Sequence, residues 1–157
     1  MTVITHPRRK SNLATMIDSA GGVSVGVALA QARANIESMR GQALAVIESG
    51  ISALEAVPAP SSREETPARL DQAYRAATTL IDAAGPFELF DLCRAAAGLC
   101  DLIGAIDPEQ PFDWRIVTVH ARSLRLLQNL PLEATEERAR ILDSLNEVIE
   151  RKLAQTG

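Results

Sequence analysis

The chain has 157 residues, 46% hydrophobic and 3% aromatic, with 16 basic against 20 acidic side chains and a formal charge of -4. A chain of this length buries about 68–70% of the surface its unfolded form exposes, so neither disulfides nor a metal is needed to hold a core. The acidic balance speaks against a nucleic-acid-binding surface, and no apolar run approaches the length of a membrane span.

Residues 1–22 carry the one basic cluster free of acids, Arg8, Arg9 and Lys10. They lack the apolar stretch of a signal peptide and are expected to be loosely ordered, apart from a short turn around residues 13–17. A single cytoplasmic domain is expected to follow, over residues 23–157.

Twenty-five residues are alanine, and the prolines at 7, 58, 60, 67, 86, 108, 111 and 131 leave long proline-free stretches. Proline breaks helix interiors, so these positions mark joints. Between them apolar residues recur at helical spacing, without sustained polar and apolar alternation, which predicts an all-α fold.

The first helix is predicted over residues 24–57, capped by Ser24. Leu29, Ala32, Ile36, Met39, Ala43, Val46, Gly50, Ala53 and Val57 alternate steps of three and four, the spacing of a coiled-coil seam. A second row of Leu44, Ile47, Ile51 and Leu54 widens the apolar face in the second half. Gly41 and Gly50 each cost about 1 kcal/mol relative to alanine, so the helix is expected either to run through or to break at one of them.

Thr66 and Pro67 open a second helix that runs to Ala84, with Gly85 as a left-handed stop and Pro86 preventing continuation. The third begins near Phe87. Its rows Phe90, Cys93, Ala97, Cys100 and Leu89, Leu92, Ala96, Leu99, Ile103 suit a central position, with Glu88, Asp91 and Asp101 on the exposed edge. After a loop at residues 107–111, Asp113 caps a fourth helix over 114–130. Pro131 ends it, and Thr135 opens a fifth whose face carries Ile141, Leu142, Leu145, Val148, Ile149 and Leu153. The whole reads as a helical bundle with a long first helix and four shorter antiparallel ones. A continuous first helix would overhang its partners and leave its seam bare, which predicts a homodimer formed through Leu29, Ile36 and Met39. If it breaks at Gly41, the front half folds back instead.

Chemistry is sparse. Cys93 and Cys100 lie seven residues apart on one helix, about 10.5 Å along its axis, too far to bridge. With His6 and His120 as the only imidazoles, no zinc-ligand spacing arises, and no cofactor is expected. The glycines at 21, 22 and 26 lack the Gly-Lys-Ser/Thr of a phosphate loop. His120 admits two readings. A histidine in a small bundle suggests a phosphotransfer phosphoacceptor, yet Arg122, Ser123 and Leu124 stand where such a domain continues Leu-Lys-Gly. At 100° per residue, Ile116, Val117, Leu124 and Leu127 surround it on the apolar face, which favours a structural histidine. Arg115, Arg122 and Arg125 share the opposite face. Guanidinium forks suit carboxylates, so this strip is either a dock for an acidic partner or a set of ion pairs with neighbouring carboxylates, the acidic edge of the third helix among them.

Gly22-Val23-Ser24-Val25 opening an alanine-rich helix, with Phe112-Asp113-Trp114, Val119-His120 and Ser123-Leu124-Arg125-Leu126-Leu127, resembles CheE, a family of small accessory proteins associated with chemotaxis gene clusters in alphaproteobacteria. The resemblance implies a cytoplasmic, non-enzymatic component of chemotaxis signalling that binds a receiver or another signalling protein, with no catalytic residues to carry over. No nucleic-acid or membrane partner is expected. A phosphotransfer protein using His120 and a sensor with a pocket near Cys93 and His120 are the alternatives.

Overall fold

A computed structural model describes residues 22–106 and 111–156. The basic start at Arg8, Arg9 and Lys10, His6, the turn expected at 13–17, most of the loop at 107–111 and the Leu153 side chain lie outside the described residues. Among the described residues the structure is all helix, with six α-helices, one 3-10 turn and no strand. No helix among the described residues is long and apolar enough to cross a membrane.

The predicted first helix is two helices. α1 (Val25–Ser38) starts where the Ser24 hydroxyl accepts from the Val27 amide at 3.3 Å, and it buries none of its residues. α2 (Arg40–Ala56) follows after Met39, a single turn residue that stays in the right-handed region at φ -92° and ψ -5°. The interruption is at neither glycine. The Ser38 hydroxyl donates to the Asn35 carbonyl at 2.7 Å in the last turn of α1. Chain contacts divide at the same place, with α1 in one unit and Met39–Gly157 in another. The boundary between these two units falls after residue 38.

The second unit holds the core. α3 (Thr66–Ala84) carries Pro67 in its first turn and ends in a 3-10 turn, Gly85–Phe87. Gly85 is right-handed (φ -56°, ψ -49°), not the left-handed stop expected from sequence. Without a Cβ it tolerates the helical conformation that other residues resist ahead of proline. The left-handed residue is Glu88 (φ 57°, ψ 29°), whose amide donates to the Gly85 carbonyl at 3.1 Å. A side chain in that conformation costs about 1–2 kcal/mol. Glu88→Gly is accordingly expected to raise unfolding stability by about 0.5–1 kcal/mol, the gain reduced by the freer unfolded chain, with a melting temperature a few degrees higher as the check.

α4 (Phe90–Gly104) and α5 (Arg115–Asn129) each pack on three helices, and α6 (Thr135–Thr156) packs on both. α2 lies on α3 and α5. The Arg40 guanidinium, 5.1 Å from the centroid of the Phe87 ring, ties the start of α2 to the 3-10 turn. Ile47, Ile51, Leu54, Leu80, Leu99, Leu124 and Leu127 are fully buried, each worth about 1.5–3 kcal/mol in removal from water.

Several rows differ from expectation. α2 buries Ile47, Gly50, Ile51 and Leu54, so Val46, Ala53 and Leu44 are left exposed. On α4 the buried set is Leu92, Ala95, Ala96, Gly98, Leu99 and Leu102, while Phe90 projects into solvent and both cysteines are half-buried. Gly98 sets the spacing at the bundle's centre. A methyl group there would stand 2.5 Å from Ile149 Cδ1, so any larger residue requires the end of that isoleucine side chain to move.

Candidate functional site

α5 positions most of the residues with chemistry. Ile116, Val117, His120, Ala121, Leu124 and Leu127 face inward at helical spacing. His120 is fully buried. Its Nδ1 is 2.8 Å from the Ile116 carbonyl oxygen, which can only accept, so Nδ1 carries the proton and Nε2 keeps a lone pair. Nε2 is buried without a hydrogen-bond partner among the described residues, on the side facing Gly98. Burial pushes the imidazole pKa below its ordinary 6.5, and the bond to Ile116 offsets part of that. A neutral, enclosed ring of this kind cannot meet an aspartyl phosphate on a partner's surface.

The three arginines of the opposite face have different surroundings. Asp113 accepts from the Arg115 amide at 3.1 Å, capping the first turn, and its two oxygens take Arg115 Nε and Nη2, each at 2.9 Å. Lys152 Nζ reaches the same carboxylate at 3.4 Å. Arg115 beside Asp113 holds that carboxyl pKa down to about 2.

Arg125 is occupied more completely. Its Nη1 meets both Glu48 oxygens at 2.6 Å, and its Nη2 meets Glu55 Oε2 at 2.7 Å and Ser52 Oγ at 2.9 Å. Gln128 completes the cluster, donating to Glu48 at 2.8 Å. The guanidinium thus bridges two carboxylates about two α2 turns apart, and it holds Glu48 below the usual carboxylate range. These partners belong to α2, not to the acidic edge of α4.

Arg122 alone of the three is exposed without an ion pair among the described residues. It borders a 280 Å³ pocket with Leu54, Val57, Trp114, Val117 and Thr118. The strip offered to an acidic partner is therefore narrower than its sequence suggested, with one open guanidinium and one, Arg115, already sharing its charge with Asp113.

Asp91, assigned to a solvent face, is bound instead. Arg138, its side chain only 4% exposed, places Nε 2.6 Å from Asp91 Oδ2 and Nη1 at 2.7 and 2.9 Å from the Leu127 and Leu130 carbonyls. This arginine closes the C-terminal end of α5 and was not apparent from sequence, where it follows Glu136 and Glu137 on what reads as a charged face.

The thiols of Cys93 and Cys100 are pushed up in pKa by burial, the opposite of an activated nucleophile. Among the described residues no three His, Cys, Asp or Glu side chains converge as a metal site would require. The exposed apolar residues Leu29, Ile36 and Met39 are 53%, 42% and 57% accessible. No family model matches the chain, and neither does a curated protein or a solved structure.

Proposed function

We propose that the chain is a non-enzymatic accessory or adaptor protein of bacterial chemotaxis signalling, acting in the cytoplasm by self-association and by binding a receiver or other signalling protein. The observation that carries the binding mode is α1, which buries nothing while presenting Leu29 and Ile36, with Met39 just beyond it, to solvent at coiled-coil spacing. Arg122 supplies an open guanidinium for an acidic partner surface. The chemotaxis assignment rests on the resemblance to CheE. The phosphotransfer alternative needs an accessible imidazole at position 120, and the buried ring argues for a structural role.

Two measurements on the purified protein test this reading. Light scattering at high micromolar concentration should return a dimer mass, reduced to a monomer by Ile36→Glu with helical circular dichroism unchanged. A monomeric wild type refutes self-association. Capture from the native cytoplasm should recover a chemotaxis component with the wild type and much less of it with Arg122→Glu. If no chemotaxis component is recovered, or equal amounts with both proteins, the adaptor role falls.

A further inference from the structure

Gly98, His120 and Ile149 bring α4, α5 and α6 to one point. The place a Cβ would take on Gly98 is 2.5 Å from Ile149 Cδ1 and 3.9 Å from His120 Nε2, so the isoleucine end and the imidazole nitrogen border the same gap. Nε2 is the one buried side-chain nitrogen or oxygen without a hydrogen-bond partner among the described residues. A proton on it would find no acceptor, which makes a cation at this position costly.

α6 is held unevenly along its length. Its first half is fixed by Arg138 against Asp91 and the Leu127 and Leu130 carbonyls, and by the buried Leu142 and Leu145. Beyond Leu145 none of the described side chains is buried. Val148 and Ile149 are half-buried, and Lys152 Nζ reaches Asp113 only at 3.4 Å. Helix ends with few buried contacts open at a lower free energy than the core beneath them. We propose that α6 beyond Leu145 is a strap over His120, closed while the imidazole is neutral and released when it takes a proton. Release uncovers Gly98 and the apolar surroundings of Nε2, and leaves the first half of α6 in place.

Once released, the imidazole meets water and titrates near its ordinary 6.5, whereas burial pushes it lower while the strap is closed. The open state therefore takes the proton first as pH falls, and its population should rise about tenfold between pH 7.5 and 5.5. The ionisable side chains of α4 on either side of Gly98 are Cys93, Arg94, Cys100 and Asp101, and both thiols are pushed up by burial. Those of α6 around Ile149 are Glu147, Glu150, Arg151 and Lys152, with Glu147 tied to Arg151 at 3.0 Å. On α2, Glu48 and Glu55 are held by Arg125. Only burial and the Ile116 carbonyl act on the titration of His120, so none of these charges drives it. The Lys152–Asp113 pair does not supply the response either, since Asp113 stays ionised down to about 2.

Amide hydrogen exchange of the full chain, followed by NMR at pH 7.5 and 5.5 and expressed as protection relative to the unfolded rate at each pH, tests the strap. Amides of residues 148–152 should be at least about tenfold less protected than those at the centre of α4, the mark of local opening, and should lose a further tenfold between the two pH values. His120→Leu should abolish that loss. Ile149→Ala should lower protection at 148–152 severalfold and keep the tenfold ratio, because the histidine still titrates. Protection at 148–152 that is the same at both pH values means that the helix end frays without freeing the imidazole, and overturns the proposal. Protection equal to that of α4 overturns it too, because the segment then opens only in global unfolding. So does a loss that survives in His120→Leu, or an Ile149→Ala protein protected like the wild type. Should His120→Leu fail to fold, the wild-type comparison of 148–152 with α4 still decides.

Discussion

Replacing Arg138 by methionine is expected to destabilise the protein by about 3 kcal/mol, the lower end of the range for breaking a buried ion pair, because Asp91 keeps some contact with water. The substitution does three things at once. It removes the donor from the Leu127 and Leu130 carbonyls at the end of α5, leaves the Asp91 carboxylate without its cation, and puts an apolar chain among three oxygens. For a chain of this size the melting temperature should fall by about 6–12 °C. Arg138→Lys should recover only part, since one ammonium cannot span three acceptors in the planar arrangement of a guanidinium. Adding Asp91→Asn to Arg138→Met should lessen the loss by removing the stranded charge. A loss below about 0.5 kcal/mol in urea melts, the ordinary scatter for surface substitutions, would mean that the cluster contributes no net stability.

Acid is expected to act on the fold in two steps, the first owing to His120. Its folded-state pKa is below 6.5, so the unfolded chain takes the proton first as pH falls. Stability is thus complete above the ordinary histidine range and is lost on going down through it, by up to about 1.4 kcal/mol per pH unit, until the buried ring itself titrates. The second step involves Glu48 and Asp113, whose folded-state values are held below the carboxylate norm by Arg125 and Arg115. Their contributions are present above the carboxylate range and fade as pH falls through it, for Asp113 down to about 2. Urea melts of the wild type at pH 7.5, 6.5 and 5.5 should show the first step, and His120→Leu should flatten it while leaving the acid limb below pH 4.5 in place. An equal slope in both proteins would assign the first step to another group.

These two groups were unequally visible in the sequence. His120 was legible because Ile116, Val117, Leu124 and Leu127 flank it at helical spacing, and periodicity alone turns such a ring inward. Arg138 was not, because its acceptors are a carboxylate 47 residues away and two carbonyls of the preceding helix, none of which leaves a local pattern. The same reason hid the partners of Arg125 at Glu48 and Glu55, 77 and 70 residues back along the chain. Helix limits marked by Pro67, Pro86 and Pro131 were readable to within a few residues, since proline acts on its own turn. The break at Met39 was misplaced to a glycine because propensity ranks glycine as the weak point, and methionine, a good helix former, gives no local sign of one. In α2 the regular three-and-four row was legible as a pattern, but which side of it faces the core depended on α3 and α5.

The interior described above contains no ring other than an imidazole: Phe90 and Tyr74 face solvent, and Trp114, Phe87 and Phe112 are only half-buried. Trp114, half-buried and packed against the edge of the core beside Phe112, will therefore report through its emission on the margin of the bundle, not on its centre. With no phenyl or indole ring at the centre, the central leucine and alanine methyl signals in a proton spectrum will spread less than in an aromatic core, and the most direct reporter of cooperative unfolding will be the backbone signal at 222 nm.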